Sequence, residues 1–292
     1  MSKILLTGDK GFISKRLKQR LIKLGHEVIG YDIVDGFDLL DLPKLEEFIK
    51  SVDVVYHIAA QADLMTMYDI ENARKGVLAN VEATHNVAYL CAKYNKWLIY
   101  ASTVCVYGNQ DEHPEMEDVT LPNPSDLYAC SKYAGEWVIK GYSKNFGNPY
   151  TILRFATIYG EGMRPALAVH IFLSQALKGR DITVHGDGKQ DRTQTYIDDL
   201  VDGIVAPLNY PENAKDQVFN LTNAKSISAL QMAEDIKEIT DSNVSIVFIP
   251  QRANQTLHED FDVSKAELLL NWKAKTPWKE GLQKTLLWLK QN

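Results

Sequence analysis

Tyr128 and Lys132 stand four residues apart in "YACSK" (128–132), directly after the turn-rich "LPNPSD" and at the head of a long stretch free of proline. On a helix, residues i and i+4 share one face, so the two side chains are expected to point the same way. A phenol beside an ammonium loses its proton more easily than the free group of pKa about 10. Such a pair makes a base that works near neutral pH. An amphipathic helix with an exposed lysine and a half-buried tyrosine has the same spacing, so the pair gains meaning only from its surroundings.

A second set of candidates lies in "KILLTGDKGFIS" (3–14), where Gly8 and Gly11 fall between a strand pattern and a helix pattern. Glycines at that junction let the backbone turn sharply and approach a pyrophosphate seated at the helix N-terminus. The spacing is GxxG rather than GxGxxG, with Ser14 at the third small position. Asp32 ends the next strand pattern, about 20 residues on, where a carboxylate accepts hydrogen bonds from a ribose 2′-hydroxyl. Ile33 and Val34 follow it, not an arginine or lysine that would suit a 2′-phosphate. The sequence therefore favours NAD over NADP.

These residues need a scaffold, and the first half of the chain spells one out. Strand patterns at 3–7, 27–32, 53–60, 97–102 and 150–156 alternate with helical patterns at 12–25, 42–50, 69–94 and 128–146. Alternation of that kind implies a parallel sheet covered on both faces. The predicted fold class is α/β: a doubly wound Rossmann domain over 1–157, rejoined by 193–215, and a smaller mixed α/β lobe over 158–292. With 292 residues, 45% of them hydrophobic, the chain can bury a full core. A net charge of −6 with scattered basic residues argues against a nucleic-acid surface. No apolar run reaches the roughly 18–20 residues that span a bilayer, and the N-terminal apolar run is too short for a signal peptide. Cys91, Cys105 and Cys130 form no CxxC pair. A disulfide framework or metal site is not expected, and the reducing cytoplasm is.

Taken together, the chain resembles the extended short-chain dehydrogenase/reductase family in its NAD-dependent nucleotide-sugar epimerase/dehydratase branch. The landmarks run nearly end to end: "TGDKGFI" (7–13), "YD" (31–32), "DLLD" (38–41), "VVYHIAA" (54–60), "NVEAT" (80–84), "ASTVCVYG" (101–108), "YACSKYAGE" (128–136), "LRFATIYGEG" (153–162), "HGDGKQDRTQTYIDDL" (185–200), "VFNLTN" (218–223) and "DVSKAELLLNW" (262–272). The resemblance implies that Phe12 and Ile13 line the pyrophosphate and that Asp32 and Ile33 hold the adenosine ribose. It places Asp38 and Leu39 beside the adenine, Ala59 and Ala60 against the cofactor, and Asn80 on the loop around it. Thr103, Tyr128 and Lys132 fall at the catalytic Ser/Thr, Tyr and Lys, with Lys132 also expected to lower the Tyr128 pKa. Arg192 and Arg252 fall where the substrate diphosphate is gripped, and a guanidinium fork suits that task. A homodimer through the helices of 80–94 and 128–142 is implied as well.

Members of this branch share a first oxidation, usually at C4, and differ afterwards. Dehydratases carry an acidic pair just after the Ser/Thr and decarboxylases a Glu two residues after it; here those positions are Val104 and Cys105. Epimerisation at C4, on a UDP-sugar, is the expected reaction because it needs no further acid or base. Cys105 opens an alternative, since a thiolate next to a 4-keto sugar can remove a C3 or C5 proton, giving 3,5- or 5-epimerisation or dehydration, including 5,6-dehydration. Free cysteine is also a common small buried hydrophobe, the reading taken for Cys91 and Cys130. Thr157, Glu161 and "QRANQ" (251–255) depart from the family pattern near the expected sugar or diphosphate. The acidic stretch 109–118 reads as a solvated loop, His57 and His85 as satisfied core or edge residues, and Trp272, Trp278 and Trp288 as packing. A dinucleotide-binding redox sensor without turnover is the reading from another class.

Overall fold

The computed structural model describes residues 1–62, 69–111, 113–251 and 257–292. Strands β1 (Lys3–Thr7), β2 (Glu27–Tyr31), β3 (Val54–His57), β4 (Trp97–Thr103) and β5 (Tyr150–Phe155) are joined by helices α1 (Phe12–Lys23), α2 (Leu42–Ile49), α3 (Ile70–Lys93) and α4 (Leu127–Phe146). Then follow β6 (Thr157–Tyr159), α5 (Ala168–Leu177), β7 (Ile182–His185), β8 (Asp191–Tyr196), α6 (Ile197–Asn209), α7 (Pro211–Ala214) and β9 (Gln217–Leu221). The chain ends with β10 (Ser226–Ser228), α8 (Ala229–Thr240), β11 (Ile246–Ile249), α9 (Ser264–Leu270) and α10 (Trp278–Gln291).

The large sheet is parallel in the order β2-β1-β3-β4-β5-β9. Its central strands are buried on both faces, as their unbroken apolar runs require: every residue of β4 is buried. The order reverses between β1 and β3, and open α/β sheets bind ligands beyond the strand ends at such a switch point. Smaller sheets of order β10-β8-β6 and β11-β7 make the second layer of structure.

Residues 193–215 divide between two neighbours. Helix α6 returns and is bonded to α1, with Arg16 Nε 2.6 Å from Asp198 Oδ1 and Arg20 paired to Asp202. Residues 193–196, by contrast, belong to β8 of the second sheet, and the strand that extends the large sheet is β9, paired with β5. The acidic stretch is also more than a solvated loop. Glu115 is buried, its backbone bonded to Asp260 and Asp262, and Glu117 Oε1 accepts the Asn220 N–H at 2.7 Å.

The helices that aim the candidate residues are locally encoded. Helix α1 buries Ser14, Leu17 and Leu21, one stripe of a 3.6-residue repeat, and its Arg20 and Lys23 sit in the last turn, where cations favour the helix dipole. Helix α4 starts where Asp126 Oδ1 accepts the Ala129 N–H at 2.8 Å, a side-chain N-cap, and stops at Gly147 with φ +78°. Its inner face is Ala129, Ser131, Lys132, Gly135, Glu136 and Ile139. Cys130 falls outside that stripe and is exposed, so it is not a packing residue, whereas Cys91 is buried in α3. Trp272 is buried, and Trp278 and Trp288 pack against the core.

Candidate active site

A cleft of about 840 Å³ opens at the switch point. Gly8, Gly11, Phe12, Ile13, Asp32, Ile33, Asp38, Leu39, Ala59, Ala60, Asn80, Thr103, Cys105, Tyr128 and Thr157 all line it. Lys132 and Arg192 are not among the described residues of its lining, and Arg252 lies outside the described residues.

One end of the cleft is made of backbone. Gly8 has φ +68°, and a Cβ there would stand 2.8 Å from the Ala59 Cα, so only glycine allows the turn to close against the strand end of β3. Gly11 caps α1 without any side-chain bond, leaving the first N–H groups of the helix to face the cleft. Asp32 is held in place by the N–H groups of Lys10 and Val34, each at 3.0 Å. Lys10 escapes a reading by neighbouring sequence, because the glycine turn brings it to Asp32 from far along the chain. Its ammonium is bound to Asp35 at 2.9 Å. Asp9, also in this turn, is buried against Gly30 of β2 and paired with Lys18 at 2.7 Å; any side chain at residue 30 would collide with it. Asn80 ties the loop after β3 to α4. Its Oδ1 accepts the Gln61 N–H at 2.7 Å, and its Nδ2 donates to Gln61 O and to Ser131 Oγ, which in turn donates to Tyr128 O. The naked helix terminus, the close Gly8–Ala59 approach and the fixed Asp32 carboxylate fit a dinucleotide.

The other end is made of side chains from distant segments. Thr103 closes β4 and its Oγ1 accepts the Cys105 N–H at 3.2 Å, which leaves the hydroxyl proton to give away. Tyr128, in the first turn of α4, is half-buried. Burial, then the neighbouring Cys105, pushes its phenol above the ordinary value, while Arg164 pulls it down. Among the described residues the cation that lowers the phenol is Arg164. Lys132 is fully buried, its Nζ 4.1 Å from the centre of the Tyr100 ring, and burial draws it down to about 7 against the pull of Glu136. Behind it, Glu136 accepts from Arg154 through both oxygens at 2.9 and 2.7 Å and from Ser102 Oγ at 2.6 Å.

The residues that depart from the family pattern separate in space. Thr157 lines the cleft, but Glu161 turns away to Arg16 at 2.9 Å and to the Tyr196 hydroxyl. Cys105 is half-buried, and burial lifts its thiol to about 11. His57 is a satisfied core residue between Thr7 Oγ1 (2.9 Å) and Thr84 Oγ1 (3.1 Å), and burial lowers it to about 3. Two charged residues escaped the sequence reading as parts of the lining. Arg164 donates to Ala62 O at 3.1 Å, and Glu259 pairs with Arg192 at 3.2 Å. Nothing local in "TLHEDFD" marks Glu259; it acquires its place through β8, far away in sequence.

The sequence and fold resemble those of known proteins. The chain is 32% identical to UDP-glucuronic acid decarboxylase 1 of Danio rerio, over 97% of this chain and 72% of that protein. It is 30% identical to an uncharacterized UDP-glucose epimerase of Bacillus subtilis, over 98% of both. The crystal structure of UDP-glucuronic acid 4-epimerase from Bacillus cereus, in complex with UDP-glucuronic acid and NAD, superposes with a TM-score of 0.91 over 99% of both chains at 31% identity. The family model of the NAD dependent epimerase/dehydratase family matches residues 4–222, three quarters of the chain, and the chain belongs to that family.

Proposed function

We propose that the protein is an NAD-dependent UDP-sugar 4-epimerase. One observation carries the choice among the family's reactions: Thr103 and Tyr128 face one cleft while the two positions after Thr103 hold no ionised acid or base. Val104 is buried, and a thiol lifted to about 11 keeps its proton at neutral pH. Tyr128 then removes the proton of the sugar 4-hydroxyl as general base, and Thr103, its lone pair engaged by the Cys105 N–H, donates its own proton to hold that oxygen. The glycine turn, Asp32 and Asn80 would hold NAD, which when bound would supply the hydride acceptor. Desolvation makes the Tyr128 phenol poor at releasing a proton by itself, and Arg164 lowers it; a bound oxidised nicotinamide would add a second positive charge. Tyr128 would afterwards return the proton to the same sugar oxygen, and the bound cofactor would return the hydride to the other face of C4.

Decarboxylation lacks the glutamate expected two residues after Thr103. Arg164 favours a second reading of the substrate, because a guanidinium in the cleft suits a sugar carboxylate; the B. cereus enzyme acts on UDP-glucuronic acid. Exposed Leu78 on α3 and Trp137 on α4 support a homodimer through these helices, and three free cysteines support the cytoplasm. No helix among the described residues is long and apolar enough to cross a membrane.

The test is incubation with NAD and UDP-glucose, UDP-N-acetylglucosamine, UDP-glucuronate and their C4 epimers in deuterated water, with products read by NMR. Inversion at C4 without deuterium uptake is expected. Deuterium at C3 or C5, or a new alkene, would replace epimerisation by the carbon-acid alternative through Cys105, and no conversion at all would return the protein to a dinucleotide sensor.

A further inference from the structure

Ser14 stands where the full glycine fingerprint has its third glycine, the position that lets a helix pack close to a strand. It does pack: the residue is 1% exposed and begins the inward stripe of Ser14, Leu17 and Leu21 on α1. Its hydroxyl is not explained by packing. Among the described residues Oγ is buried without a hydrogen-bond partner. A serine in a helix ordinarily gives that proton to a carbonyl one turn back, but Gly11 O is taken by the Lys15 N–H at 3.0 Å. The hydroxyl also has a direction. A Cβ on Gly11 would stand 3.2 Å from Gly8 O and 4.0 Å from Ser14 Oγ, so Oγ faces the hollow that Gly11 leaves open. Ser14 is part of the cleft lining there. Around that hollow the donors are neutral. The N–H groups of Phe12, Ile13 and Ser14 lie ahead of the first intrahelical bond, at the positive end of a 12-residue helix. The charged residues of the turn are engaged elsewhere, Asp9 with Lys18 at 2.7 Å and Lys10 with Asp35 at 2.9 Å.

We propose that the Ser14 hydroxyl donates to the pyrophosphate of the dinucleotide, a side-chain donor added to the backbone donors of the turn. The inference rests on the dinucleotide reading above and deepens it. An anionic phosphate oxygen is a strong acceptor for a hydroxyl, and it is the acceptor that the chain itself withholds from Ser14. Folding leaves this donor unpaired, which lowers the stability of the nucleotide-free protein. Binding restores the missing bond. A serine that only filled space between helix and sheet would show neither effect.

Ser14→Ala removes Oγ and keeps the Cβ that packs on the sheet. In the nucleotide-free full chain, thermal unfolding of this variant should be unchanged or higher, because an unpaired buried donor has gone. Calorimetric titration should nevertheless show NAD binding weakened about tenfold. ADP-ribose, which carries the same pyrophosphate without the nicotinamide, should weaken to the same extent. Ser14→Gly, which completes the fingerprint, should lose the same affinity, and it carries the test if the alanine variant does not fold. NAD affinity within twofold of the parent, a loss confined to NAD and absent from ADP-ribose, or a loss accompanied by a lower unfolding temperature of the nucleotide-free alanine variant would each overturn the inference. Ser14 would then be a packing residue and the dinucleotide reading would stand. Absence of NAD binding by the parent would remove both.

Discussion

The two ends of the cleft are built on opposite plans. The nucleotide end is backbone: the Gly8 turn, the open first turn of α1 and an Asp32 carboxylate pinned by two N–H groups. Few of its properties depend on the charge state of a side chain. The sugar end collects Thr103, Cys105, Tyr128, Arg164 and Glu259 from separate segments, and burial shifts three of them, Cys105, Tyr128 and Glu259, toward their neutral forms. Binding geometry is thus set locally, while reactivity is set by what the fold places around each group. Changes at the first end should alter affinity, and changes at the second should alter rate.

Tyr128→Phe gives the sharpest break. It keeps the ring and its packing and removes only the hydroxyl, so thermal unfolding should be little changed. Loss of a positioned general base costs typically 10²–10⁴-fold, and kcat for C4 interconversion should fall by about that much with NAD affinity preserved. A variant within tenfold of the parent would take the base away from Tyr128.

At the other end, Asp32→Ala should act on affinity. A hydrogen bond to a charged group is worth about 1.5–3 kcal/mol, so NAD binding measured by calorimetry should weaken roughly ten- to hundredfold. Turnover at saturating NAD should hold near the parent level. A large fall in kcat with unchanged NAD affinity would contradict the division between the two ends.

That division also explains what the sequence made legible. The strands and helices of the first half carry their own punctuation, such as Gly25 after α1, the Asp126 cap and the Gly147 stop of α4, so their limits fall within a few residues of the pattern. Glycine spacing and the strand-end aspartate are equally local. Beyond residue 157 the strands are short and pair over long separations, Ser226 with Thr193 and Ile246 with Ile182, and no nearby residue announces a partner. The same holds for charge. Tyr128 and Lys132 are a visible pair, yet the shift of each depends on burial and on Arg164, Cys105 and Glu136, which only the folded chain assembles. Cys130 was misread for a related reason: tertiary packing sets the phase of α4, and the residue between two inward neighbours faces out.

Cys105 gives the smallest expected effect and sharpens the comparison most. It lies at the sugar end, beside Tyr128, in the position where other members of the branch place an acid, so proximity alone would make it a reactant. Its environment argues otherwise. Burial lifts the thiol to about 11, Glu259 and Asp126 push in the same direction, and only the Thr103 side chain, bonding to the thiol, and the charge of Arg192 draw toward the thiolate. At neutral pH the fraction ionised is about one part in ten thousand, too little to serve as a base at a sugar carbon. Its N–H, which any residue but proline supplies, is what positions Thr103. Cys105→Ala should therefore keep C4 turnover within about twofold and leave its pH profile in place. A loss comparable to that of Tyr128→Phe, together with deuterium uptake at C3 or C5 by the parent that the variant lacks, would show that the fold activates this thiol during turnover and that the cleft performs carbon-acid chemistry.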